Sequence, residues 1–226
     1  TSSALAQGPQ DYIVTFRAGT APAVRAASVR RASASLGFNF NGVTAVAITV
    51  PNSNALAALR NDPLVVAIIP DRAVSASQSA NGKPVGAGSG GSQVVPAGVA
   101  RVGVPTATSN GSGVGVAILD TGIDLTHPDL GSPVDAFNAF GGSSCQDDQG
   151  HGTHVAGIVA ARDNTIDVVG VAPNAQPYCV KVLDASGSGS DATVMGGAMA
   201  GMSGGGWVLL LLLAIIGLLI YGFFLR

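Results

Sequence analysis

Two residues stand out for what they could do together: Asp120 and His151. Asp120 ends the apolar run V-A-I-L-D-T-G-I-D over residues 116–124, and His151 opens G-H-G-T-H-V-A-G-I-V over residues 150–159. A hydroxyl is a poor nucleophile until a base removes its proton. A neutral imidazole does this near neutral pH if its tautomer is fixed, and a carboxylate bonded to Nδ1 fixes it. The bland readings are an aspartate that caps a turn and a histidine that belongs to a helix. His151 and His154 also form H-x-x-H, a spacing that could hold a metal, but no third ligand and no adjacent glutamate accompany it.

These residues need a strand and a helix to carry them. Residues 113–119 read as a buried strand, 151–161 as a helix, 176–182 as a second strand and 191–200 as a further helix with Ser190 as its N-cap. Helices alternating with apolar strands imply a parallel sheet, whose active sites lie at the carboxyl ends of the strands. Asp120 sits at such an end.

The spaced motifs V-A-I-L-D-T-G-I-D, H-P-D-L and G-H-G-T-H-V-A-G-I-V resemble the subtilase family over residues 93–190. The resemblance implies serine-type hydrolysis of peptide bonds, with Asp120 and His151 as two members of a catalytic triad. It implies that Gly187, Ser188 and Gly189, in K-V-L-D-A-S-G-S-G-S, form an edge that pairs with substrate backbone. It also implies a structural Ca2+ site: Gln93, Asp129 and Asn164 through side-chain oxygens, Arg162, Ile166 and Val168 through carbonyls. Some subtilases lack that site. No organic cofactor is implied. The family's nucleophile segment, G-T-S-M-A-x-P, does not occur in these 226 residues, and Ser203 has the wrong neighbours to replace it. This chain is therefore expected to be catalytically incomplete. The alternative is a non-catalytic chain, either an inhibitor or chaperone of a separate subtilase or a peptide-binding pseudoenzyme.

Residues 11–76 read as a small unit of their own. Strands are expected over 11–17, 43–50 and 64–69, and helices over 22–36 and 53–60, with one short strand undetected. That order suggests a ferredoxin-like α+β sandwich. D-Y-I-V-T-F and V-V-A-I-I-P-D-R-A-V-S-A resemble the subtilase propeptide, which assists folding and then plugs the active site.

The expected organisation is thus a signal-peptide remnant or disordered end over 1–10, with A-x-A at 4–6, and a propeptide domain over 11–76. A flexible linker over 77–92 and a partial subtilisin-like α/β domain over 93–202 follow. The last segment, 207–224, is apolar and uncharged, and at about 1.5 Å per residue it has the length of a transmembrane helix. A buried core helix is the competing reading. The implied location is secreted or cell-surface, anchored by that helix. Expected partners are a peptide substrate or a cognate subtilase, the chain's own propeptide and a membrane. A net charge of −2 does not favour nucleic acid. Cys145 and Cys179 are either one bridge or two buried thiols.

Overall fold

The computed structural model describes residues 8–76, 92–104, 107–203 and the backbone of 208–211. The expected linker falls outside these residues except for Ser92, and the expected N-terminal remnant does so over residues 1–7, while its Gln10 opens the first strand. The chain divides into two compact units, one taking in residues 1–73 and 190–199, the other 74–189 and 200–226.

The first unit is built on four antiparallel strands: β1 (Gln10–Phe16), β2 (Ser35–Asn39), β3 (Ala45–Val50) and β4 (Val65–Pro70). Their order is β2-β3-β1-β4. Helix α1 (Pro22–Arg31) follows β1, and α2 (Ser53–Arg60) follows β3. This is the β-α-β-β-α-β order expected of a ferredoxin-like sandwich. Strand β3 can alternate because its two faces meet different partners. Val46, Ile48 and Val50 pack with Val29, Ala55 and Leu59 of the helices. Ala45 and Ala47 face Ile13, Phe40 and Ala192 instead. Ala192 belongs to helix α5 (Asp191–Ser203), whose first residues lie in this unit.

One expectation needs correcting here. Helix α1 does not run to residue 36; it stops at Arg31, and residues 35–39 are β2, the undetected strand. Ser33 adopts a left-handed φ of 58°, which no helix accommodates. Helix α2 matches its expected bounds, because the Asn52 side chain caps it by accepting from the Ala55 N–H.

The second unit carries an all-parallel sheet. Its strands are β6 (Gly115–Asp120), β7 (Val134–Asn138), β8 (Gln176–Lys181) and β10 (Val208–Leu211), ordered β10-β6-β8-β7. Helix α4 (His151–Ala160) covers it, setting Val155, Ala156, Val159 and Ala160 against Val116, Ile118 and Cys179. A short helix, α3 (Ala97–Arg101), precedes β6. Two three-residue strands, β5 (Ala73–Ser75) and β9 (Ser188–Ser190), pair with each other.

The transmembrane reading of 207–224 is corrected where the structure describes it. Residues 208–211 are not helical but form β10, parallel to β6 with Val208 opposite Gly115 and Leu211 opposite Ile118. An apolar run satisfies a buried strand as well as a helix, and periodicity alone does not separate them. The remainder of the expected span lies outside the described residues. Among the described residues no helix is long and apolar enough to cross a membrane.

Candidate active site

Strand β6 is buried along its length, and its last residue delivers Asp120 to the carboxyl edge of the sheet, 5% exposed at its side chain. Helix α4 begins at His151, after Gly150 adopts a left-handed φ of 103° that favours glycine. Gly152 lets the helix start sit tight against the strand end. A Cβ there would lie 2.1 Å from the Gly122 carbonyl and 3.0 Å from the Asp120 Cβ.

The two side chains meet. His151 Nδ1 lies 2.8 Å from each carboxylate oxygen of Asp120, whose Oδ1 also accepts the Thr121 N–H at 2.7 Å. Nδ1–H therefore donates to the carboxylate, and Nε2 is left as the free base. The His151 side chain is 25% exposed, enough to receive a proton from a partner outside the protein core. His154, by contrast, stands exposed on α4, and among the described residues no three or more His, Cys, Asp or Glu gather as metal ligands.

Sequence reasoning missed the groups that hold this pair. Lys181, 5% exposed, ends β8 opposite Asp120. Its ammonium donates to the Thr121 carbonyl at 2.5 Å and to Asp148 at 2.6 Å. Cys145 and Cys179 form a disulfide, settling the alternative that sequence left open. The bridge joins β8 to the loop before His151. Inside this core a lysine in V-K-V or a lone cysteine gives no sequence signal of its role.

Gly187 closes a turn that leads into Ser188 and Gly189 of β9, and Asp184 shapes that turn by accepting from the N–H of Ser186 at 2.8 Å and of Ser188 at 3.0 Å. The Ser186 hydroxyl, with these bonds, holds the Asp184 carboxyl below the usual aspartate range. The edge is already in use: the Ala76 N–H donates to the Gly187 carbonyl at 2.8 Å.

All six residues of the expected oxygen-ligand set also come together. Gln93 Nε2 donates to the Arg162 carbonyl at 2.6 Å, the Val168 carbonyl at 3.3 Å and Asn164 Oδ1 at 3.4 Å. Asn164 Nδ2 donates to Asp129, and the Ile166 N–H donates to Asn164 Oδ1. Asp129 is only 1% exposed, yet its carbonyl accepts the Arg162 N–H and its carboxylate the Val168 N–H. The loop is pinned to residue 93 by the Val94–Val168 bridge.

With this geometry in view, the likeness to known proteins is specific. The subtilase family profile matches residues 111–201. An alkaline protease from Alkalihalobacillus alcalophilus is 56% identical over 108 residues, covering 46% of this chain and 28% of the relative. Subtilisin Savinase from Lederbergia lenta is 55% identical over 108 residues, covering 46% of this chain and 40% of the relative. Among solved structures, fervidolysin from Fervidobacterium pennivorans, a keratinolytic enzyme related to subtilisin, aligns with a TM-score of 0.56. It is 20% identical, covering 84% of this chain and 33% of that one, and so supports the fold alone. The chain thus spans less than half the length of these relatives, and its likeness to the subtilase family is carried by residues 111–201.

Proposed function

We propose that the second unit carries the acid–base half of a subtilisin-like serine endopeptidase site, and that the first unit is its propeptide. One observation carries the reading: His151 Nδ1 sits 2.8 Å from both oxygens of a buried carboxylate, while the His151 side chain stays partly exposed. In the reaction, Nε2 takes the proton of an attacking serine hydroxyl and returns it to the leaving amine. Asp120 holds the tautomer and stabilises the imidazolium between those steps. The edge at Gly187–Gly189 aligns the substrate as an added strand. The pairing of Ala76 with Gly187 supports a propeptide tail on that edge.

The proposal concerns Asp120 and His151, so its test supplies the serine from a relative. The test is a chimera in which residues 107–201 replace the matching stretch of subtilisin Savinase. A chromogenic peptide anilide is the substrate. Hydrolysis by the chimera is the expected outcome. A folded chimera without activity would overturn the assignment.

Gln93, Asp129, Arg162, Asn164, Ile166 and Val168 would hold a structural Ca2+. The donors fit: carbonyls, amide oxygens and one carboxylate are hard oxygen ligands. The oxygens of Arg162, Asn164 and Val168 already converge on one atom of the Gln93 amide. Amide nitrogen and oxygen exchange places by a simple flip. A bound ion would tie residue 93 to the loop after α4. Millimolar calcium is expected to raise Tm by several degrees (about 1–3 kcal/mol by mass action). Asp129→Asn is expected to abolish that rise. An unchanged Tm would refute the site. The Cys145–Cys179 bridge supports an exported protein, since such bridges persist in oxidising compartments.

A further inference from the structure

One carboxylate outside the dyad is bonded to both of its arms. Asp147 lies half-buried in the loop before α4. Its Oδ1 accepts the Thr121 hydroxyl at 2.9 Å, the Gln149 N–H at 3.0 Å and the Gly150 N–H at 2.9 Å. Its Oδ2 accepts the Thr153 N–H at 2.9 Å and the Thr153 hydroxyl at 2.6 Å. Thr121 directly follows Asp120, Gly150 directly precedes His151, and Thr153 lies in the first turn of α4. The Thr121 hydroxyl oxygen also accepts the Gly152 N–H at 3.0 Å. A strand end and a helix start 31 residues apart therefore meet on a single side chain.

The chemistry suits an ionised carboxylate, which accepts only and has about four lone-pair sites to share among these donors. Burial alone would push the Asp147 carboxyl up. The Gly150 N–H, the Thr153 hydroxyl and the Gln149 and Thr153 N–H groups more than offset it, holding the group below the usual aspartate range. The loop is also fixed from behind. The Asp147 N–H donates to the Ile123 carbonyl, the Ile123 N–H donates to the Cys145 carbonyl, and Cys145 is bridged to β8.

We propose that Asp147 is a positioning residue that keeps Asp120 and His151 in register. The proposal rests on reading the pair as an acid–base dyad, but its readout is the dyad's own proton and requires no peptide hydrolysis.

The experiment uses the full chain labelled with 15N-histidine, with the His151 Nδ1–H resonance assigned by its loss in His151→Ala. In the parent a low-field, slowly exchanging Nδ1–H is expected. Asp147→Ala is expected to quicken its exchange with water roughly tenfold or more, the factor that one hydrogen bond's net worth represents, with far-UV circular dichroism unchanged. Asp147→Asn, which keeps one acceptor oxygen, is expected to recover most of the protection. A folded Asp147→Ala chain with the parent's resonance and exchange rate would overturn the proposal. If Asp147→Ala does not fold, Thr121→Val and Thr153→Val each remove one donor, and each is expected to quicken exchange by a smaller factor. Parent-like exchange in both would likewise overturn it. Absence of the resonance from the parent chain would refute the dyad, and the positioning role with it.

Discussion

Both units pack helix against a four-stranded sheet, yet they treat buried polar groups differently. In the first unit the sheet is antiparallel, and its buried polar groups are Arg25 and Ser28. Arg25 donates to the Asn39 side chain and to the carbonyls of Val43 and Phe40, pinning the turn between β2 and β3. Ser28 bonds the Asp62 carboxylate. In the second unit the sheet is parallel, and Asp120, Thr121, Asp129 and Lys181 are all buried near its carboxyl edge or at the loop beyond α4. Among the described residues every buried polar side-chain atom has a partner. The difference teaches where the chemistry lies. The first unit uses buried polarity to close a turn, and the second concentrates it around the paired side chains of Asp120 and His151.

The largest expected effects sharpen that contrast through stability. In the second unit the bridge closes a loop between residues 34 apart in sequence, and Cys145→Ser with Cys179→Ser is expected to cost it about 4 kcal/mol. In the first, Leu59, fully buried between α2 and the sheet, is expected to cost about 2–5 kcal/mol as Leu59→Ala. Residue-resolved hydrogen exchange checks both. Each change should lower protection mainly in its own unit. Equal loss in both units from either change would dissolve the comparison.

A smaller effect concerns acid. In the second unit Asp147 and Asp124 both titrate low. For Asp124, burial raises the carboxyl, but the Thr126 hydroxyl and N–H, Gln146 and His127 outweigh it. A depressed folded value means stability that is present above the ordinary aspartate range, near pH 4, and lost as pH falls through the folded value. The first unit is mixed. Asp62 titrates low despite burial, through Ser28, Leu64 and Arg31. Asp71 titrates high because burial outweighs its bonds from Ala192 and Ser190. The Asp71 contribution is therefore fully present below the ordinary range and lost as pH rises through its raised value. Protection followed from pH 6 to pH 3 should fall more steeply in the second unit. A steeper fall in the first would contradict these assignments.

How much of this was legible in the sequence differs residue by residue. The contact between Asp120 and His151 was legible, because an aspartate ending an apolar strand and a glycine-flanked histidine each carry a local signature. Helix α2 was legible through its Asn52 cap. The end of α1 was not: R-R-A-S-A-S-L permits helix throughout, and a left-handed φ at Ser33 is decided by packing. Strand β7, V-D-A-F-N, is too short and mixed to announce itself. The run at 208–211 carried apolarity without period, so a strand was read as a helix. Asp147 left one unread signal, an acidic side chain four residues ahead of a helix-opening histidine. That spacing lets one carboxylate bond the N–H groups of the helix start.

The most direct test of the central claim, that Asp120 and His151 form a working acid–base pair, is kcat for the Savinase chimera and its variants. His151→Ala is expected to lower kcat about 10^4- to 10^6-fold, and Asp120→Asn about 10^4-fold, with KM little changed, the general scale for such dyads. A loss of less than roughly tenfold for either variant in a folded, active chimera would contradict the account, because no positioned base acts so weakly.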